Sequence, residues 1–311
     1  MIDSILDAIG NTPIIRLKRM AGTDGAEILA KYEGLNVGGS IKTRTALNMI
    51  TAAERDGILR EDSIIVEPSS GNQGIAIALI GAAKGYKVKI VMPDSVSVER
   101  RKLIMQYGAE VILVRDDGNI GECIDNCLKI VSQLAEDDPR VFIPQQFTNP
   151  RNPEIHRNQT AIEIIEQAGR PIHGFCAGIG TGGTISGVGE VLRKHYPDIT
   201  IWAVEPENAA ILSGGPIGTH LQMGIGDGLI PEVLNTEIYD DVCVVSDDEA
   251  LRAARDLARF EGLMCGISSG SNVFAATRLA KRLGKGQRVV TILPDTGERY
   301  FSTRLFESVP E

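Results

Sequence analysis

Short apolar runs alternate with amphipathic stretches along most of the chain. The apolar runs lack polar alternation, which is typical of parallel strands covered on both faces. The predicted strands are Ile28–Tyr32, Ser63–Glu67, Lys87–Met92, Glu110–Val114, Gly174–Ala177, Thr200–Val204, Val242–Val245 and Arg288–Leu293. The predicted helices are a stretch that starts near Thr43, then Ile75–Lys84, Val98–Tyr107, Ile120–Leu134, Ile155–Ala168, Ile185–Lys194, Asp248–Glu261 and Asn272–Leu283. This alternation predicts an α/β fold with right-handed crossovers.

The chain is long enough to form more than one hydrophobic core. Single cores stop growing near roughly 250–300 residues, and this chain has 311. Pro, Asn and Gln cluster in the segment Pro144–Pro153, between two periodic stretches. That segment is the best candidate for a boundary between two domains.

Composition narrows the function classes. The net charge is −9 and no Lys/Arg run is long enough to follow a nucleic-acid backbone, so nucleic acid is not an expected partner. The sequence has no stretch of about 18 apolar residues and no signal-type N-terminus, which predicts a cytoplasmic protein without membrane contact. The five cysteines have no framework spacing, and Cys123 and Cys127 are expected to be buried. No metal site is predicted.

Three loops rich in glycine and hydroxyl groups each follow an apolar segment and open a helix. They are Glu67–Gly74, Gly178–Thr184 and Gly266–Ser271. In open α/β sheets, ligands bind beyond the carboxyl ends of the strands, where such loops lie. The hydroxyls, the amide and the free N–H groups of Ser69–Gly74 suit a carboxylate, although a helix cap without a ligand has the same pattern.

The loop Gly178–Thr184 is open to two interpretations. Its glycines satisfy the dinucleotide-binding spacing after a strand, and Glu205 follows about 20 residues after that fingerprint, where an acid would bind a ribose. Against an oxidoreductase, Thr181 and Thr184 add hydroxyls that suit a terminal phosphate, which accepts more hydrogen bonds than a bridging pyrophosphate.

Lys42 is the candidate nucleophile. It follows the turn Gly38-Gly39-Ser40 at the start of a helical stretch, where the backbone can approach a ligand closely. Most lysines are solvated surface charges, but a partly desolvated and therefore neutral amine can attack an aldehyde. Such an amine and a glycine-rich phosphate cradle are together what pyridoxal phosphate requires of a protein.

The order of the motifs resembles the cysteine synthase and cystathionine β-synthase family of pyridoxal-phosphate enzymes. That family has the two-domain fold type II, which is like the fold of the tryptophan synthase β subunit. The resemblance runs nearly end to end and is carried by Gly10-Asn11-Thr12-Pro13, Pro93, Glu99-Arg100, Gln145-Gln146-Phe147, Asn152-Pro153, Val204-Glu205-Pro206 and Gly297-Glu298-Arg299-Tyr300. It implies largely parallel sheets flanked by helices. It also implies a large cofactor-binding domain of residues 1–44 and 149–311, and a small mobile domain of residues 45–148 that closes over the substrate.

The resemblance implies roles for individual residues as well. Lys42 would form the Schiff base with pyridoxal 5′-phosphate and then move the α-proton of an amino-acid substrate. The other residues expected to bind the cofactor are Asn72 at the ring hydroxyl, Gly180, Thr181, Gly182, Gly183 and Thr184 at the phosphate, and Ser268 at the pyridine nitrogen. The residues expected to bind the substrate are Ser69, Ser70, Gly71, Gln73, Gln146 and Gly226. The resemblance also implies a homodimer.

The sequence departs from the family pattern at three places. The usual Lys-Asp-Arg becomes Lys42-Thr43-Arg44, and Thr-Ser-Gly-Asn-Thr-Gly becomes Ser69-Ser70-Gly71-Asn72-Gln73-Gly74. Gly-Ile-Gly-Ala-Gly becomes Gly224-Ile225-Gly226-Asp227-Gly228. In the family this last segment lies close to the reacting Cβ, so Asp227 would be placed to act as a general base or acid, although Asp-Gly is also favourable turn chemistry.

The predicted reaction is elimination and replacement at Cβ of a cysteine- or serine-type amino acid, through an aminoacrylate. Water needs a base whereas sulfide does not, and a carboxylate repels sulfide. Asp227 therefore favours a cysteine hydroxyl-lyase, which converts L-cysteine and water to L-serine and hydrogen sulfide. The alternatives are a cysteine synthase that uses O-acetylserine and sulfide, amine addition to a diaminopropionate-type product, and a non-catalytic binding protein on this fold. Among the histidines, His220 is the best candidate for a role because it precedes the Asp227 segment.

Overall fold

Two β-sheets and the helices that cover them make up the fold. The computed structural model describes residues 1–22, 24–69, 71–117 and 120–307. The strands are β1 Ile14–Leu17, β2 Glu27–Tyr32, β3 Ile64–Pro68, β4 Lys87–Pro93, β5 Glu110–Val114, β6 Val141–Phe142, β7 Gly174–Gly178, β8 Thr200–Pro206, β9 Asp241–Val245 and β10 Arg288–Leu293. The α-helices are α1 Lys42–Arg55, α2 Asn72–Lys84, α3 Val98–Gln106, α4 Ile120–Asp137, α5 Arg151–Ile155, α6 Ala161–Ala168, α7 Gly183–His195, α8 Asp247–Asp256 and α9 Ile267–Leu283.

Almost all strand pairs are parallel. In the described part of the chain, the larger sheet has the order β1-β2-β10-β7-β8-β9, and the smaller sheet has the order β5-β4-β3-β6. The pair of β1 and β2 is antiparallel, and the other pairs are parallel. Because parallel strands all end at the same edge, each sheet directs its strand-to-helix loops to one side.

Both faces of each sheet are covered, as the apolar runs predict. In β10 all six residues are buried. One face of the larger sheet packs against α8 and α9, and the other packs against α6 and α7. The smaller sheet has α1 and α2 on one face and α4 on the other. The prediction of largely parallel sheets flanked by helices is therefore confirmed.

The eight predicted strands are present with nearly the predicted bounds, but some elements differ from the prediction. The strands β1 and β6 were not predicted, because runs of four and two residues carry too little periodic signal. The segment Gly266–Ser271 was predicted as a loop, but α9 already begins at Ile267. Ser and Gly are weak helix formers, and here tight packing against α8 overrides that weakness: a Cβ on Gly270 would lie 2.0 Å from the carbonyl oxygen of Ala250.

Two predicted helices contain a π-helical turn. The stretch predicted as Ile155–Ala168 is α5, then the π-helical turn His156–Thr160, then α6. The stretch predicted as Asp248–Glu261 ends in the π-helical turn Leu257–Glu261 after α8. Such turns widen a helix locally and have no simple sequence signal.

The strands of the two sheets occupy separate parts of the sequence, which is relevant to the predicted domain boundaries. All strands of the smaller sheet lie between residues 64 and 142, whereas those of the larger sheet lie between residues 14 and 32 and between residues 174 and 293. We therefore propose that residues 45–148 form the small domain and that residues 1–44 and 149–311 form the large one.

Neither a membrane span nor a metal-type cluster is found in residues 1–22, 24–69, 71–117 and 120–307. No helix there combines the length and apolarity that crossing a bilayer requires. No group of three or more His, Cys, Asp or Glu side chains is arranged to hold a metal ion. Cys123 and Cys127 are buried, as expected of small hydrophobic side chains.

A buried ion network lies close to the start of α1. Arg44 contacts Glu33 at 2.9 Å and Glu163 at 2.7 Å, and Lys31 contacts Glu163 at 2.7 Å. Burial alone would raise the pKa of Glu163, but the hydrogen bonds from Arg44 and Lys31 outweigh it and lower the pKa to about 2. The network ties β2, α1 and α6 together and so fixes the helix that begins with Lys42.

Replacement of Arg44 tests this network. Arg44→Met would leave the buried Glu33 and the half-buried Glu163 with Lys31 as the remaining cation, and removal of one member of a buried ion cluster costs about 3–5 kcal/mol. We expect a decrease of that size in the free energy of unfolding, measured with urea. Arg140→Met is the control, because the pair of Arg140 with Asp138 is exposed and should contribute little. Equal free energies of unfolding in the two variants would contradict a stabilising role of the Arg44 network.

Candidate active site

A cavity of about 390 Å³ lies between the two sheets, at the carboxyl ends of their strands. Ser69 after β3, Gly178 at the end of β7 and Pro294 after β10 all line it. The predicted site residues that line it are Lys42, Ser69, Gly71, Asn72, Gln73, Gln146, Gly180, Thr181, Gly182, Thr184, Asp227 and Ser268. The structure thus brings together residues that are widely separated in the sequence.

Two of the described site residues that were predicted, Gly183 and Gly226, are not part of this lining. Gly183 lies behind it, where a Cβ would meet the side-chain oxygen of Asn152 at 2.1 Å. Gly226 also lies behind it, packed against Pro206 and His220. Ser70 lies outside the described residues.

Lys42 is the first residue of α1 and lines the cavity. Gly38 and Gly39 before it have φ angles of 76° and 71°, which glycine adopts readily, and this tight turn delivers the lysine to the site. Burial lowers the pKa of the amine, while the carboxylates of Asp227 and Asp295 oppose that shift. The neutral, nucleophilic form is therefore more populated than for an exposed lysine.

Thr43, one of the departures from the family pattern, faces away from the reaction space. Its hydroxyl donates to the carbonyl oxygen of Val37 at 2.6 Å, and the residue is fully buried. The charged side chains that act on the Lys42 amine are Asp227 and Asp295. Thr43 therefore takes no part in the charge balance at the Lys42 amine.

The loop at the start of α7 forms an anion cradle. Gly182 caps the helix with a φ of 77°, so free N–H groups and the positive end of the helix dipole face the cavity. The hydroxyl oxygen of Thr181 accepts from Asn152 Nδ2 at 2.9 Å and from the N–H of Gly183 at 3.3 Å. Because both lone pairs are used, the Thr181 proton is left to donate into the cavity.

The orientation of the Asn72 amide is fixed by two charged neighbours. Its Nδ2 donates to Asp295 at 2.6 Å, and its Oδ1 accepts from Arg299. Tyr300 also donates to Asp295 at 2.6 Å. One N–H of Asn72 therefore stays available to a ligand oxygen in the cavity.

The loop after β3 presents donors that suit a carboxylate. Ser69 Oγ accepts from the N–H groups of Gly71 at 3.3 Å and Gly74 at 2.9 Å, so its own proton is left to donate. Gln73 Oε1 accepts from Thr45 at 3.1 Å. In the described residues, nothing accepts a hydrogen bond from the buried Gln73 Nε2. A buried donor without a partner indicates a site for an acceptor ligand.

Asp227 is held in the cavity through the main chain of Gly226. The N–H of Gly226 donates to the carbonyl oxygen of Ile179 at 2.8 Å. Its carbonyl oxygen accepts from His220 Nε2 at 2.9 Å, because His220 Nδ1 already accepts the N–H of Gln222 at 3.1 Å. The φ of Gly226 is 71°, and a Cβ there would lie 2.6 Å from Pro206, so glycine is required.

Asp227 and Lys42 form an electrostatically coupled pair. Burial raises the pKa of Asp227, and the charge of Lys42 opposes that shift. The same burial lowers the pKa of Lys42. Both groups are thus shifted toward their neutral forms, which suits groups that exchange protons with a ligand.

The sequence profile of the family described as "Pyridoxal-phosphate dependent enzyme" matches residues 5–295. The chain belongs to the family of pyridoxal-phosphate dependent enzymes. It is a cysteine synthase-like member of that family, because cysteine synthase from Staphylococcus aureus (strain N315) is 47% identical over 306 residues, which cover 98% of this chain and 97% of that protein. Its cofactor is accordingly pyridoxal phosphate.

Solved structures of the family have the same fold. The crystal structure of an O-ureido-L-serine synthase has a TM-score of 0.94 at 42% identity and covers 100% of this chain and 97% of its own. A hydrogen sulfide-producing enzyme from Fusobacterium nucleatum has a TM-score of 0.91 at 41% identity and covers 96% of this chain and 100% of its own. Chains with this architecture thus include enzymes with different products.

The residues of the cavity fit the cofactor of the family. A phosphate matches the anion cradle at α7 and the free proton of Thr181. The desolvated amine of Lys42 suits reaction with the aldehyde group of the cofactor. Ser268 lies in the first turn of α9 and lines the same cavity, where its hydroxyl can meet a ring nitrogen.

Several residues that support the site were not predicted as site residues from the sequence. Asp295 directly follows Pro294 at the carboxyl end of β10, a position where open sheets bind ligands, and this signal could have identified it. Asn152, Thr45 and Glu67 act through contacts with other residues, and their spacing in the sequence does not reveal these contacts.

The anion cradle at the start of α7 can be tested at Gly183. Gly183→Ala would force Asn152 to move, which removes one of the two donors that orient the Thr181 hydroxyl. Loss of a hydrogen bond to a charged group should weaken pyridoxal-phosphate binding about tenfold or more. Titration of the apoenzyme by absorbance measures this affinity. Gly22→Ala is the control, because no atom lies within 4 Å of its added Cβ. Unchanged affinity in Gly183→Ala would rule out the cradle.

Proposed function

We propose that the protein is a cysteine hydroxyl-lyase, which converts L-cysteine and water to L-serine and hydrogen sulfide. The observation that carries this proposal is the half-buried carboxyl group of Asp227, which lines the same cavity as Lys42 and has a raised pKa. A reaction with water needs a proton acceptor at Cβ, and the position of Asp227 supplies one.

The residues of the cavity divide into binding and proton-transfer groups. When bound, the cofactor withdraws electrons from the substrate Cα and so makes the α-proton acidic. Lys42, Asn72, Ser268 and the cradle of Gly180–Thr184 hold that cofactor in our proposal. Ser69, Gly71, Gln73 and Gln146 donate to the substrate carboxylate, together with Ser70 as the sequence predicts. This orients the amino acid with its β-substituent toward Asp227.

Lys42 moves the α-proton. In its neutral form Nζ accepts the proton from Cα, and it returns the proton after the new bond at Cβ has formed. Burial, which lowers the Lys42 pKa, keeps this neutral form available. The amine therefore acts as base and then as acid, and it is unchanged over the whole cycle.

Asp227 serves the two steps at Cβ. In its protonated form the carboxyl group donates a proton to the sulfur as the Cβ–S bond breaks, and hydrogen sulfide leaves. The carboxylate then accepts a proton from water as the oxygen bonds to Cβ, which regenerates the acid. The proton count balances, and the raised pKa of Asp227 keeps the protonated form available.

The names of two solved relatives bear on this choice. One structural neighbour is named a hydrogen sulfide-producing enzyme, and another is named an O-ureido-L-serine synthase. The products in these two names, hydrogen sulfide and O-ureido-L-serine, differ from the cysteine named in cysteine synthase. The addition of an amine to give a diaminopropionate-type product remains a further alternative, in which Asp227 would bind the ammonium group.

Replacement of Asp227 tests the main proposal. Asp227→Asn keeps the shape of the side chain but removes its proton transfer, so formation of serine and sulfide from L-cysteine should fall by roughly 10²–10⁴-fold. The cofactor absorbance band should stay, because Asp227 is not needed to hold the phosphate. Asp198→Asn, at an exposed position, is the matched control. Equal serine formation by wild type and Asp227→Asn would exclude the proposed role.

The second candidate is cysteine synthase, which the names of the 47%-identical relatives favour. It is distinguished by turnover of O-acetylserine with sulfide compared with turnover of L-cysteine alone. We expect the wild type to prefer cysteine, and Asp227→Ala to raise the kcat/KM for sulfide addition, because the carboxylate that repels the anion is gone. A wild type that uses sulfide more efficiently than Asp227→Ala does would favour the second candidate.

A further inference from the structure

Glu67 is a buried carboxylate between two segments that line the cavity. It lies in β3, two residues before Ser69, with 1% of its surface exposed. Its Oε2 accepts the N–H of Gln145 at 3.1 Å, and its Oε1 accepts the N–H of Gln146 at 3.2 Å. One carboxylate thus holds two consecutive peptide groups of a distant segment.

The main chain of Gln146 is held from the other side as well. Its carbonyl oxygen accepts from Asn152 Nδ2 at 2.8 Å, and the same amide nitrogen donates to Thr181 in the phosphate cradle. With both its N–H and its carbonyl engaged, Gln146 has a fixed backbone and a side chain that lines the cavity.

The backbone at this point needs such support. Gln145 has a φ of 58°, in the left-handed region that a residue with a side chain seldom adopts. A strained conformation persists where surrounding contacts determine it, and strain of this kind is concentrated at ligand sites. The bond from Gln145 to Glu67 is one of these contacts.

We infer that Glu67 is a positioning residue that joins the loop after β3 to the segment Gln145–Gln146, so that donors from both converge on the substrate carboxylate. The inference rests on the proposed function for the assignment of Ser69, Gln73 and Gln146 to that carboxylate. Glu67 itself does not line the cavity among the described residues, so it acts through Gln146.

The charge state of Glu67 determines how well it can accept hydrogen bonds from the N–H groups of Gln145 and Gln146. Burial raises its pKa to about 7, and the N–H groups of Gln146 and Gln145 oppose that shift. Among the described residues no charged side chain contributes to the shift. Above this pH both oxygens accept. Below it, one oxygen carries a proton that faces an N–H group, and one of the two bonds weakens.

Glu67→Gln in the full-length holoenzyme tests the inference. Its amide offers a single acceptor, so it should hold one N–H group where the carboxylate holds two. Glycine is the probe, because it carries the carboxylate and the amine but no β-substituent, and its binding is measured from the change in cofactor absorbance. At pH 8 we expect glycine to bind about tenfold more weakly to Glu67→Gln than to wild type.

The pH profile separates positioning from a general structural role. The ratio of the two glycine dissociation constants should fall toward one as the pH drops through about 7, because Glu67 becomes neutral in the wild type. Lys42 and Asp227 titrate in both proteins, so the ratio removes their effect. Affinity for pyridoxal phosphate should not change. Glu110→Gln, an exposed carboxylate on β5, should bind glycine as the wild type does at every pH.

A second variant covers the case in which Glu67→Gln does not fold. Glu67→Asp keeps the charge but withdraws the oxygens by one methylene, and it should also weaken glycine binding. A dissociation-constant ratio that does not vary with pH, wild-type glycine binding in a folded variant, or an equal loss of cofactor affinity would overturn the inference. If glycine behaves as expected but L-cysteine yields no serine, the proposed reaction fails and the role of Glu67 stands.

Discussion

The amine of Lys42 can act as a nucleophile and base only when it is neutral, and the protein favours this form by partly burying the residue. Burial lowers its pKa, and the nearby carboxylates of Asp227 and Asp295 limit that effect. The other parts of the site depend on this balance. The turn at Gly38 and Gly39 before α1 places Lys42 at the cavity. The buried ion network of Arg44 fixes the helix that begins with this lysine.

Several polar side chains of the site are oriented by hydrogen bonds from other protein groups. Thr181 and Ser69 each accept two hydrogen bonds from protein groups, so each has only its proton left to offer a ligand. Asn72 is oriented in the same way, between the acceptor Asp295 and the donor Arg299. These groups therefore face an anion or a ring oxygen as preorganised donors, and little reorganisation is needed when a ligand binds.

The cavity combines elements common to cysteine synthase-like enzymes with one group that departs from the family pattern. The anion cradle at α7 and the lysine at the start of α1 match a cofactor shared by the whole family. Asp227 follows Gly226, whose main chain is held by Ile179 and His220, and in our proposal its carboxyl group meets the substrate. In our proposal the choice of nucleophile depends on it. The homodimer implied by the resemblance stays a prediction.

The α/β architecture follows from the sequence alone, because unbroken apolar runs with helical stretches between them have few other stable arrangements. The sequence also predicts Lys42, the cradle Gly180–Thr184 and Asp227 as site residues, since each lies in a motif or departs from one. How these groups are held depends on the tertiary structure. The contacts of Asn152 with Thr181, of Asp295 with Asn72 and of Glu67 with Gln146 join residues 29, 223 and 79 positions apart. Such contacts leave no periodic trace in the sequence, because they arise where the carboxyl ends of two separate sheets meet.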